Sequence, residues 1–137
     1  MRQVKSYKKI PYGIPRQRKM FDIVERRFEQ IDMIREAIAK GETSIRWHRV
    51  EEVIEQPEKW IAVYEEVYRA GDGLMKEIMA RRFRGESYWK TCDILYLSTG
   101  AYYTYVRDIL HYAIACAVAY GIFDVKEDGN GNDQSAC

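Results

Sequence analysis

The sequence predicts an all-α protein, a helical bundle that carries a C-terminal helix-turn-helix. Three observations lead there. Apolar residues recur at three- and four-residue spacing through most of the chain, no stretch alternates long enough to build a sheet, and two helical patterns near the C-terminus are separated by only three residues. A length of 137 residues suits one domain, and 47% hydrophobic against 31% charged side chains is a globular balance.

Residues 1–16 read as a basic extended arm. Arg2, Lys5, Lys8, Lys9 and Arg16 stand there before any acid, and Pro11, Gly13 and Pro15 oppose a regular helix. A helical N-terminal region is expected over residues 17–83. Met20, Val24, Phe28, Ile31, Ile34 and Ile38 form one stripe from Gln17 to Lys40, with Gly41 where a helix stop belongs. Residues 42–57 are mixed, with Trp47 and a short helical piece from Val50 to Ile54 that stops near Pro57. From Glu58 to Phe83 a second stripe carries Trp60, Tyr64, Val67, Leu74 and Ile78. Gly71 and Gly73 interrupt it, each costing roughly 1 kcal/mol against alanine, and predict a break. Residues 84–123 make the helix-turn-helix region, and residues 124–137 an acidic, disordered tail.

Charge and cysteine usage narrow the function classes. The net charge of +1 excludes a uniformly basic coat protein, yet residues 1–49 carry 13 basic and 6 acidic side chains while residues 50–79 carry 3 and 8. Such segregation lets one face meet a polyanion. Cys92, Cys116 and Cys137 form no CxxC pair, so neither a disulfide framework nor a zinc module is expected, and a reducing cytoplasm fits. The N-terminus lacks the apolar core of a signal peptide. The most apolar run, the 15 residues from Ile109 to Phe123 with His111 among them, falls short of the ~20 residues a spanning helix requires. His48 and His111 stand apart from any ligand-spaced acid. With no nucleophile, acid/base or phosphate-loop constellation, no catalytic residue, metal or cofactor is expected.

The informative stretch is Arg81 to Gly121. Ser87 is placed to cap a helix from Tyr88 to Leu95, Tyr96-Leu97-Ser98 forms the turn, and Ser98 caps a second helix from Thr99. Cys92 supplies the small residue wanted where two helices cross, and Leu95 and Leu97 point inward. Tyr102, Val106 or Tyr105, Ile109 and Ala113 continue the buried stripe. That leaves Ser98, Thr99, Gly100, Tyr103, Thr104 and Arg107 on the open face that recognition helices turn to base edges. Arg81, Arg82, Arg84 and Lys90, around the first helix, are candidate phosphate contacts, against the alternative of a solvated helix end. Two positions depart from the usual pattern: Tyr96 fills a turn slot commonly given to glycine, and Thr91 one commonly aliphatic.

The run SYWKTCDILYLSTGAYYTYVRDILHYAIACAVAYG resembles the C-terminal half of the RinA/ArpU-type phage transcriptional regulators. Gly85, Trp89, Ser98, Tyr102, Tyr103, Ile109, Ala113 and Gly121 carry the likeness, which covers about residues 80–121 well and 20–80 loosely. It implies a helix-turn-helix distantly similar to the promoter-reading region of sigma factors. It also implies activation of phage late or structural genes by binding double-stranded DNA near a promoter, with host RNA polymerase as a further partner. The second helix is apolar on all sides after Leu110, which predicts burial in a core or a homo-oligomer interface. Two alternatives stand beside this regulator: a DNA-packaging protein like a small terminase subunit, and a helical protein-interaction module that never touches DNA.

Overall fold

The computed structural model describes residues 14–123. The arm residues up to Gly13 and the tail 124–137 lie outside the described residues. Six helices and one hairpin follow in the order α1 (Ile14–Glu29), α2 (Ile31–Ala39), β1 (Ser44–Trp47), β2 (Val50–Val53), α3 (Pro57–Ala70), α4 (Gly73–Arg82), α5 (Tyr88–Leu95) and α6 (Thr99–Ala119). The protein is mostly helical, as its periodicity predicts.

Three local expectations need correction. The extended arm does not reach Arg16, because α1 already begins at Ile14. Pro15 sits in its first turn, where the missing N–H costs no hydrogen bond. The stripe from Gln17 to Lys40 is not one helix but two. Gln30 breaks it with φ −91° and ψ 4°, and its fully buried side chain accepts from Arg27 Nη1 at 2.9 Å and donates to Glu52 at 3.0 Å. A partner 22 residues away therefore fixes the bend, and helical periodicity carries no trace of it.

The third correction is the hairpin. Val50 to Val53 is a strand, not a helical piece, and pairs antiparallel with β1 in the register Ile45 to Glu52 and Trp47 to Val50. His48 and Arg49 turn the corner with φ of 49° and 69°. Two left-handed residues in a two-residue loop make a type I′ turn, ordinarily signalled by Asn-Gly. The sequence Trp-His-Arg-Val lacks that signal. Buried Ile45 and Ile54 anchor the hairpin, and Arg27 bonds Glu52 at 2.7 Å.

The break at Gly71 occurs as the sequence predicts. Gly71 is extended, and Asp72 caps α4 by accepting from the Met75 N–H at 2.9 Å. Helix α6 is the central element and touches α1, α3, α4 and α5. Its all-round apolar second half is thereby explained within one chain. Ala113, Ile114, Cys116 and Ala117 are buried by neighbouring helices, whereas Ala115 and Ala119 are exposed. Among the described residues no helix is long and apolar enough to cross a membrane.

Candidate nucleic-acid interface

Helices α4, α5 and α6 each touch the other two, and the joints between them are built from short-range chemistry. The turn after α4 places Gly85 at φ +95°, accessible at little cost only to glycine, and the Glu86 N–H closes the end on Arg81 C=O at 3.0 Å. Glu86 then accepts from Thr91 Oγ1 at 2.7 Å and from Arg81 Nη1 at 3.2 and 3.3 Å. The Thr91 bond, with Arg81 behind it, holds the Glu86 carboxyl below its usual range. Thr91 thus occupies its buried slot as a hydroxyl donor rather than as an aliphatic filler.

The corner between α5 and α6 follows the same plan with a different residue. Tyr96 stands at φ 57° and ψ 48°, and the Leu97 N–H bonds Cys92 C=O at 2.9 Å. Three comparable helix ends carry glycine in this position, Gly41, Gly85 and Gly121. Tyr96 is the departure, and at 95% exposure it makes almost no packing contact. Ser98 caps α6 by accepting from the Ala101 N–H at 3.0 Å, whereas Ser87 stands at the cap of α5 without a side-chain bond. Cys92 lies where the two helices cross, its Sγ 3.8 Å from Ser98 C=O.

Along α6, Tyr102, Val106, Ile109 and Ala113 are buried. Ser98, Thr99, Gly100, Tyr103, Thr104 and Arg107 are exposed. Thr104 Oγ1 donates to Gly100 C=O at 3.0 Å, which leaves its oxygen free to accept. Arg107 makes no ion pair among the described residues.

The four cations around α5 divide into two kinds. Arg81 is bound to Glu77 at 3.1 Å and to Glu86. Arg82 donates to Glu25 and, through Nη1, to the Tyr102 hydroxyl at 3.1 Å. Burial alone lowers the Arg82 pKa, yet the Tyr102 bond and the Glu25 charge outweigh it and hold the guanidinium firmly charged. Arg84 and Lys90 are exposed, with Arg84 75% open and 4.0 Å from Asp32. The structure therefore brings Arg84, Lys90 and Arg107 to the surface and commits Arg81 and Arg82 to internal contacts.

Sequence reasoning missed the exposed apolar side chains of α5. Trp89 is 63% open, and Ile94 and Tyr96 are exposed as well. The signal was present, since helical spacing sets Trp89 and Ile94 on the two borders of the polar face centred on Lys90 and Asp93, clear of the buried Thr91, Cys92 and Leu95. No group of three His, Cys, Asp or Glu side chains placed to hold a metal occurs among the described residues. His48 packs edge-on against Trp47, and His111 lies 5.0 Å from the Phe21 ring. Comparison with known proteins gives no matching family model, no matching curated protein and no matching solved structure.

Proposed function

We propose that the chain binds double-stranded DNA as a transcriptional regulator of the phage type. In this reading α5 and α6 form a helix-turn-helix, packed against α4, whose recognition helix is α6. One observation carries it: a tight three-residue corner launches a capped helix whose first three turns expose Thr99, Gly100, Tyr103, Thr104 and Arg107 on one open face. Small residues at the start allow close approach to base edges, and Arg107 offers the bidentate donor pair that reads guanine. Arg84 and Lys90 supply phosphate contacts. Gene activation near a promoter, with host RNA polymerase as second partner, rests on the family resemblance.

The test is selection of a duplex from a random-sequence pool by the purified protein, followed by titration of the selected and shuffled duplexes. Arg107→Ala and Tyr103→Ala are expected to reduce the preference for the selected duplex about tenfold or more, as each good base contact contributes ~1–3 kcal/mol of discrimination. Shuffled-duplex binding should change far less. Wild-type protein that enriches no sequence overturns the proposal.

A further inference from the structure

Tyr103 is the largest side chain on the open face of α6, and an exposed tyrosine on a helix ordinarily samples several rotamers. Here it is surrounded. Its ring lies 5.0 Å from the Tyr102 ring at 85° and 5.8 Å from the Tyr88 ring at 42°. The Arg82 guanidinium carbon stands 6.0 Å from the Tyr103 ring and 5.9 Å from the Tyr102 ring. Arg82 is itself fixed at three points, by the Glu25 carboxylate from α1, the Tyr102 hydroxyl and the two ring faces. A guanidinium held this way keeps its charge within cation–π reach of both tyrosine rings.

We infer that Arg82 is a positioning residue for the proposed DNA interface: it orients Tyr103, and Glu25 makes α1 part of that support. This rests on the DNA-binding reading given above. Arg82 touches no base or phosphate, because its charge is already matched by Glu25. Its loss is a loss of order in Tyr103, not of a cation facing DNA. Preorganised contacts gain selectivity because the ordering entropy is spent before binding.

The test uses Arg82→Lys, which keeps the charge and removes the planar fork, and Tyr102→Phe, which removes only the hydroxyl. Both are measured in the full chain, with folding checked by circular dichroism. The duplex selected by the wild-type protein and its shuffled counterpart are the probes. The ratio of the two affinities should fall about tenfold in each variant, with shuffled-duplex affinity and the salt dependence of binding unchanged. In nuclear magnetic resonance spectra of the free protein, the Tyr103 ring signals should move toward random-coil positions while the Ile109 and Ile114 methyl signals stay in place. A folded variant with unchanged selectivity and unchanged Tyr103 signals overturns the inference. So does a parallel fall in both affinities together with shifted Ile109 and Ile114 signals, which marks general loosening. If the wild-type protein selects no duplex, the DNA reading fails, and the ring signals still report whether Arg82 holds Tyr103.

Discussion

At the scale of single residues, the corner at Tyr96 to Ser98 makes two opposite predictions. Tyr96 holds a left-handed conformation that costs an L residue ~1–2 kcal/mol, while glycine there costs ~0.5–1 kcal/mol in extra chain entropy. Its side chain is 95% exposed, so its removal forfeits little packing. Tyr96→Gly is therefore expected to stabilise the fold by about 0.5–1 kcal/mol, seen as a rise in Tm. Ser98→Ala should do the reverse. It strips the acceptor from the Ala101 N–H and is expected to cost about 1 kcal/mol. Ser87→Ala is the internal control, since that hydroxyl makes no capping bond and its loss should leave Tm nearly unchanged. Denaturant titration of the three variants checks the set; a destabilised Tyr96→Gly would show that the side chain does more than mark a corner.

At the scale of elements, the hairpin is tied to α1 by a cluster that is polar and half-buried: Arg27, Gln30 and Glu52. Burial alone raises the Glu52 carboxyl. Hydrogen bonds from Arg27 and Gln30, with the charges of Arg27 and Arg26, outweigh it and hold the group below the usual 4.5. A depressed carboxyl stabilises the fold fully above its unfolded value, and that stability is lost as pH falls through the folded value. Glu52→Gln should therefore cost about 1–2 kcal/mol at neutral pH, a figure held down by the partial exposure of the pair. Below about pH 4 the cost should shrink toward zero. Glu29, pushed up by burial and by Glu25, contributes with the opposite sign in both proteins and cancels in the difference. Urea titrations at several pH values measure it, and a pH-independent difference would contradict the assignment. The same cluster shows what the sequence leaves out. Helical spacing, the stop at Gly41, the break at Gly71 and the Ser98 cap are local signals and were legible. The bend at Gln30 depends on a partner 22 residues away, and the strand at Val50 on pairing through the His48-Arg49 turn, whose side chains do not advertise a left-handed pair. The open face of α6 was legible because its period follows from the buried stripe. The Glu77–Arg81 pair was readable as an i,i+4 spacing on one helix, but the Glu25 partner of Arg82 was not, because it lies 57 residues away.

At the scale of the whole molecule, a near-neutral chain must bind a polyanion through a few uncompensated cations. Every arginine around α5 looks equivalent in sequence, but the ion pairs separate them. Arg81 carries Glu77 and Glu86 and Arg82 carries Glu25, whereas Arg84 has only an open, solvent-screened contact with Asp32 at 4.0 Å, and Lys90 and Arg107 face solvent. Each phosphate neutralised by a free cation adds ~0.9 to the slope of log affinity against log salt concentration. On the DNA-binding proposal, Arg84→Ala and Lys90→Ala should each flatten that slope by about one unit, whereas Arg107→Ala should lower discrimination and leave the slope nearly unchanged. Arg81→Ala should leave the slope alone and lower stability instead, because it releases the Glu86 carboxylate that joins α4 to α5. Fluorescence anisotropy of a labelled duplex between about 50 and 200 mM salt, paired with thermal melts, reads both quantities on each variant. The decisive comparison is Arg81→Ala against Arg84→Ala, two arginines three positions apart. Equal slopes for those two would mean that internal ion pairs open on binding and that phosphates, not Glu77 and Glu86, are the true partners of Arg81.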